Sequence, residues 1–323
     1  MKIAFLSNKL TLRGTEVNLY DYADCNERIL GNQSIVITRP YDLVMRVSPR
    51  DVHLEAYKKF QDRFKVEFYE QHSDIIDIVK RNAIDVLFIE KAGSPDDGLV
   101  FDCCKTIIHC VFNTNHPHGT LYTAISDSLN KINNTTLPVL PYMVRVHPTQ
   151  ENFRKEYSIP EDAIVFGSYS GADEYTIDYV KKAVVDIATF QQNIYFIFLN
   201  IDEFGPKNDR IKFFPGTADM EYKKRFINTC DAMLYGRAGG ETFGLAVGEF
   251  SISGKPIIAR PGEHSCAHED ILGDAMINCS NYEEVYEVLT NWRKYDKDVS
   301  NNGYFKYTEE KVMENFQRYL NNL

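Results

Sequence analysis

The chain has 323 residues, 44% of them hydrophobic and 25% charged, which is a globular composition long enough for two ordinary domains or one large α/β unit. A formal net charge of −10 speaks against nucleic acid or an anionic membrane as partner, since both require a basic face. No apolar run approaches the roughly 20 residues that span a bilayer. The opening MKIAFLSNKL is interrupted by Asn8 and Lys9 before a leader-like core can form. Seven scattered cysteines, an odd number, read as free thiols in a reducing compartment, so a cytoplasmic protein is expected.

Taken in chain order, the first half offers strand-like runs at 3–7, 34–38, 65–69, 86–89, 107–112 and 122–126, each short and rich in β-branched or aromatic residues. Helical periodicity covers 16–26 and 73–82, the latter with Ser73 as the expected N-cap. The sequons at Asn133 and Asn134 read as a polar turn. Pro138, Pro141 and Pro148 then punctuate VLPYMVRVHP, which has no helical period and marks the crossing between domains 1–145 and 146–323. Beyond it the alternation resumes, with strands expected at 164–168, 194–200, 211–214, 232–235 and 256–259 and helices at 176–189 and 222–230. Strands alternating with helices imply parallel sheets covered by helices, here in two αβα halves with a cleft between them.

Between the last two strands stands GRAGGETFGLAVGEFSISGKPII, residues 236–258. Its glycines permit positive φ and let a ligand approach the backbone. A helix beginning near Gly244 or Leu245 offers unpaired N–H groups and the positive end of its dipole to an anion. Glu241 precedes that helix and Glu249 lies about a turn inside it, so both are expected to face one cleft. An ionised carboxylate accepts hydrogen bonds only, which suits hydroxyl groups rather than phosphate. A ligand with a diphosphate flanked by hydroxylated rings fits both features, namely a nucleotide sugar.

The stretch resembles the glutamate–seven residues–glutamate motif of retaining glycosyltransferases with the GT-B fold, especially the GT4 family. FFPGTADMEYKKRFINTCDAMLY is similar to the family's preceding segment, RGTEVNL to its first glycine-containing loop, and NFRKEYSIPEDAIVFGS to its entry into the second Rossmann-like domain. The tail FKYTEEKVMENFQRYLNNL resembles the last helix, about 306–323, which in that fold packs back on the N-terminal domain. The resemblance implies a metal-independent, cofactor-free transferase that moves a hexose from a nucleotide sugar to a glycan, lipid or protein acceptor with retention of configuration. It assigns Glu241 to the donor sugar and Glu249 to the ribose. Thr242, Phe243, Gly244 and Leu245 would donate from the backbone, with Gly14 and Gly216 in donor-side loops and His116 or His118 facing the donor.

One departure stands out. Where the family carries an Arg and a Lys for the leaving diphosphate, this chain has GSYSGADEYTIDYVKKA. Loss of such cations would remove several kcal/mol of electrostatic stabilisation. Arg237 is the expected substitute, with Arg13 and Arg260 behind it. HSCAH, with His264, Cys266 and His268, lacks the paired spacing of a structural zinc site, and the triplet Asp296–Asp298 reads as a solvated face. Two further readings remain: an epimerase of the same fold, or a non-catalytic nucleotide-sugar-binding subunit.

Overall fold

The computed structural model describes residues 1–49, 52–145, 149–294 and 303–323; Pro148 and the triplet 296–298 lie outside them. Two compact units result, Met1–Met143 together with Tyr307–Leu323, and Val144–Lys306.

In the first unit the short apolar runs become β1 (Lys2–Leu6), β2 (Gln33–Thr38), β3 (Lys65–Phe68), β4 (Val86–Lys91), β5 (Lys105–Cys110) and β6 (Leu121–Ala124). All pair in parallel, in the order β3-β2-β1-β4-β5-β6. A parallel sheet is covered on both faces, so its strands read as nearly continuous hydrophobic runs. Successive side chains serve opposite faces: Ile3 and Phe5 belong to one core, Ala4 and Leu6 to the other. The first core takes side chains from α1 (Gly14–Arg28), α3 (Leu54–Arg63) and α11 (Glu309–Leu320); the second takes Ile75, Ile78 and Val79 of α4 (His72–Asn82). Phe316 of α11 meets the rings of Tyr22 and Phe88 edge-on at 5.2 and 5.8 Å.

Two further helices, α2 (Tyr41–Val47) and α5 (Asp127–Asn133), complete this unit. The expected strand 122–126 stops at Ala124 because the hydroxyl of Ser126 turns to accept the Leu129 N–H at 3.0 Å and caps α5. Ser73 is not the cap of α4. The helix begins a residue earlier, where the Asp74 carboxylate accepts the N–H groups of Gln71 and Glu70 at 2.9 and 3.0 Å. Helices α2 and α3, Tyr41–Val47 and Leu54–Arg63, lie where sequence reading left the chain unassigned.

The second unit repeats the plan with β7 (Ile164–Tyr169), β8 (Ile194–Leu199), β9 (Ile211–Phe214), β10 (Ala232–Leu234), β12 (Ile257–Ala259) and β14 (Met276–Asn278). Its order is β9-β8-β7-β10-β12-β14, again all parallel. Counted within each unit, both sheets run third-second-first-fourth-fifth-sixth, the order of dinucleotide-binding folds, whose switch point lies beyond the first and fourth strands. Helices α6 (Asp178–Phe190) and α10 (Tyr282–Thr290) cover one face through Val184, Ile187, Val288 and Leu289. α7 (Met220–Thr229), α8 (Leu245–Ile252) and α9 (Ala267–Leu272) complete the unit, with a small parallel pair, β11 (Gly240–Glu241) and β13 (Ser265–Cys266). Helix α6 starts at Asp178 rather than 176, and the N–H groups of Thr176 and Ile177 ahead of it bind the Gly236 carbonyl at 2.7 and 3.0 Å.

Candidate functional site

Beyond β7 and β10, at the switch point of the second unit, the chain runs through Tyr235–Gly239 into β11 and then α8. Gly240 holds a φ of +77°, and a Cβ there would sit 1.8 Å from the Ser265 carbonyl oxygen, so only glycine allows β11 to pair with β13. Gly244 opens α8 at φ +83°. Glu241 is thereby fixed between two backbone positions that L side chains avoid.

Its carboxylate accepts a hydrogen bond from the Tyr235 hydroxyl at 3.2 Å and pairs with Arg237 Nη1 at 3.3 Å. The same Nη1 reaches Glu174, from the loop after β7, at 3.5 Å. Burial pushes the Glu241 carboxyl up to about 7; Arg237 and the Tyr235 hydroxyl oppose the rise, and Glu174 adds to it. The side chains of Arg237, Glu174 and Glu241 are 29%, 24% and 19% exposed, so solvent still reaches the trio. Behind it the Tyr235 ring stacks on His268 at 4.9 Å, and His268 Nε2 donates to the Arg260 carbonyl at 2.9 Å. Burial lowers the His268 pKa, which keeps that ring neutral.

Glu249 is placed differently from the expected open acceptor, and differently from a solvated helix residue. It is 1% exposed, bound by Lys223 Nζ at 3.0 and 3.2 Å and by the Tyr169 hydroxyl. The Lys223 ammonium also stands 4.8 Å from the centre of the Tyr169 ring. Glu241 and Glu249 thus have separate partner sets. Sequence reasoning missed Lys223, Tyr169, Glu174 and Tyr235. A signal for Lys223 was present, because in MEYKKRFIN it shares the buried stripe of α7 with Phe226 and Ile227, three and four residues on. A lysine at a buried stripe position calls for an acidic partner.

The remaining expected residues divide between the units. Thr242 is half-buried, while Phe243 is buried and its carbonyl accepts from the Tyr304 hydroxyl at 2.6 Å. Gly244 and Leu245 form the start of α8, and Gly216 lies half-buried between β9 and α7. Arg260 is held by Glu263 at 3.1 Å rather than standing with Arg237. Arg13, Gly14, His116 and His118 belong to the first unit. Arg13 precedes α1 and Gly14 begins it. His116 is exposed; His118 Nε2 is 3.4 Å from Lys91 Nζ, and Lys91 is paired with Asp97. All seven cysteines are free, and among the described residues no group of three or more His, Cys, Asp or Glu is arranged to hold a metal. Among those residues no helix is long and apolar enough to cross a membrane.

No protein-family model matches the chain, and no curated protein matches it. Solved structures do, over essentially the whole length. HepE of Anabaena, in complex with UDP-glucose, superposes with a TM-score of 0.74 at 14% identity, covering 100% of both chains. Sucrose-phosphate synthase of Thermosynechococcus elongatus gives 0.69 at 11%, covering 100% of this chain and 99% of its own. A glycosyltransferase of Rickettsia africae gives 0.67 at 12%, covering 99% and 97%. The likeness establishes the fold: two parallel six-stranded αβα units, the GT-B fold.

Proposed function

We propose that the protein is a glycosyltransferase of the GT4-like, retaining kind, which moves a hexose from a nucleoside-diphosphate sugar to an acceptor without a metal ion and works in the cytoplasm. The observation that carries this reading is the placement of Glu241 beside Arg237 at the switch point of the second unit. It is supported by a fold whose solved neighbours include complexes with UDP-glucose and with UDP. Glu241 would take donor-sugar hydroxyls, for which a part-exposed carboxylate acceptor is suited. Arg237 supplies the cation missing from the loop after β7. Its guanidinium, paired with Glu174 and Glu241, would exchange these carboxylates for the oxygens of the leaving diphosphate, with the N–H groups that start α8 as further donors. Glu249 would take the ribose alongside Tyr169 and Lys223, since its two oxygens offer about four acceptor sites and these partners use three.

Arg237 acts on charge that develops as the sugar–phosphate bond breaks. Arg237→Met is therefore expected to lower kcat far more than it raises the donor KM, and Arg237→Lys to restore only part. Turnover within about threefold of the parent, some 0.65 kcal/mol in barrier, would overturn the assignment of the cation. Release of free sugar from UDP-glucose, followed with and without candidate acceptors, tests the transferase reading itself; isomerised donor with no acceptor requirement would replace it by an epimerase, and no turnover with intact UDP binding by a binding subunit.

A further inference from the structure

The loop that carries Glu174 is fastened on both sides of it. Ahead of it, the Ser170 and Ala172 carbonyls accept from the Asn200 amide and the Asp202 N–H at 2.7 and 2.8 Å. The Glu174 N–H binds the Gly171 carbonyl at 3.0 Å, and its carboxylate folds over Gly171, where a Cβ would stand 3.0 Å from Oε2. The residues after it are tied to the loop of Arg237. Tyr175 is buried, donates its hydroxyl to the Leu234 carbonyl at 3.2 Å, and lies against Gly236, where a Cβ would come within 2.2 Å of its ring. The Thr176 hydroxyl accepts the Ala238 N–H at 3.1 Å, and the N–H groups of Thr176 and Ile177 bind the Gly236 carbonyl. None of these bonds uses the Glu174 carboxylate.

The pair that this carboxylate makes with Arg237 is of another kind. At 3.5 Å between part-exposed side chains it contributes little to stability. A diphosphate, which can grip a guanidinium through two oxygens at once, displaces it. The loop, held by its other bonds, stays in place when that happens. A carboxylate that has lost its cation is then kept beside the phosphates, with exposed Asp173 next to it in the chain. Its repulsion is unequal across the reaction. A nucleoside-diphosphate sugar carries about two negative charges on its phosphates. When the sugar–phosphate bond breaks, the electron pair stays on the phosphate oxygen, and the nucleoside diphosphate left behind carries about three above the second ionisation of a terminal phosphate, near pH 6.

We propose that Glu174 expels the spent nucleoside diphosphate: its fixed carboxylate competes with the phosphates for Arg237 and weakens the product more than the intact donor. The proposal rests on the transferase reading and deepens it, since the acids in the loop after β7 then serve turnover rather than spoil the phosphate site. Glu174 works through Arg237 and through the charge of the ligand, and takes no part in bond making.

Calorimetric titration of the full chain with UDP, UDP-glucose, inorganic pyrophosphate and uridine, at a pH of about 7.5 so that terminal phosphates are fully ionised, tests it. Glu174→Gln keeps the shape and removes the charge. It is expected to tighten UDP and pyrophosphate at least about tenfold, UDP-glucose by less than about threefold, and uridine not at all. Glu174→Asp, which keeps the charge, is expected to stay within about threefold of the parent for every ligand. Weaker UDP binding by Glu174→Gln would make the residue a support for Arg237 and overturn the proposal, as would equal gains for UDP and UDP-glucose. Pyrophosphate keeps the two readings apart. A parent protein that binds neither UDP nor pyrophosphate overturns the nucleotide-sugar reading and this proposal with it; one that binds them with no gain in Glu174→Gln overturns the proposal alone. GDP and GDP-mannose replace the uridine ligands should the parent bind pyrophosphate and not UDP. Should Glu174→Gln fail to fold, Glu174→Ala removes the same charge and decides the matter.

Discussion

The two units share a strand order but arm their switch points in opposite ways. In the first, Glu16 and Glu90 are met by hydroxyls and an amide, from Ser7, Thr11, Tyr142 and Asn18. In the second, Glu241 and Glu249 are met by cations, Arg237 and Lys223. Backbone topology therefore fixes where a ligand can sit, and the charge of the neighbouring side chains decides which ligand. A carboxylate held by a cation can be exchanged for another anion, which suits a diphosphate. One held by neutral donors has no charge to trade.

The largest effect that sharpens this contrast is expected at Lys223. Removing one partner of a buried pair strands the other charge, so Lys223→Ala should cost about 3–5 kcal/mol in urea unfolding, and the double variant Lys223→Met, Glu249→Leu should recover most of it. A loss below about 1 kcal/mol would mean that Glu249 relaxes into solvent, and the second unit would then keep an open acceptor after all.

Next in size is a pH effect common to both units. Burial above all raises Glu16 to about 7, with Glu90 adding and Thr11, Thr15 and Ser7 opposing, and Glu241 also rises to about 7. A carboxyl raised in the folded state favours folding fully below its unfolded value of 4.5, and that contribution is lost as pH climbs through about 7. Each group is worth at most roughly 3 kcal/mol over that window. Thermal unfolding of the parent should therefore weaken between those values, and Glu16→Gln or Glu241→Gln should each flatten the slope. A slope unchanged by Glu16→Gln would show that the first cluster holds no suppressed charge.

A smaller difference separates the two glutamates of the second unit. Glu241→Gln should weaken UDP-glucose by roughly 1.5–3 kcal/mol, the contribution of hydrogen bonds to a charged group, and leave UDP nearly unaffected. Equal losses for both ligands in calorimetry would place Glu241 on the nucleotide instead. The smallest effects belong to the caps. Asp219 accepts the Glu221 N–H at 2.8 Å at the start of α7, which carries Lys223, and Ser126 caps α5 in the other unit. Alanine at either should cost about 1 kcal/mol, and hydrogen exchange should locate each loss within its own unit.

Much of this was legible in the sequence where chemistry is local. The alternation of short β-branched runs with periodic helices gave the first sheet and, β14 apart, the second, and Gly240, Glu241 and Gly244 marked the loop after β10 because backbone strain and a lone acid leave a local signature. Partners distant in sequence left almost none. Glu249 looked like a ligand acceptor because nothing near it suggested Lys223, 26 residues away, or Tyr169, 80 away. His109 passed as an ordinary strand residue and Glu90 lay just past the expected strand 86–89, since their meeting with Asn18 depends on strand order, which composition does not reveal. Ser126 read as the end of a strand because a serine's hydroxyl caps a helix only once the turn exists.

The first unit is assembled from both ends of the chain: Met1–Met143 form its sheet, while Val312, Met313 and Phe316 of α11 enter its core. During synthesis, the sheet emerges from the ribosome long before the helix that completes it, and the intervening residues 144–306 appear in the meantime. The sheet of the first unit is thus made before the second unit and finished after it, and must wait with Tyr22 and Phe88 lacking the ring of Phe316. A premature stop just before residue 309 would spare every strand of both sheets and still injure the core of the first unit.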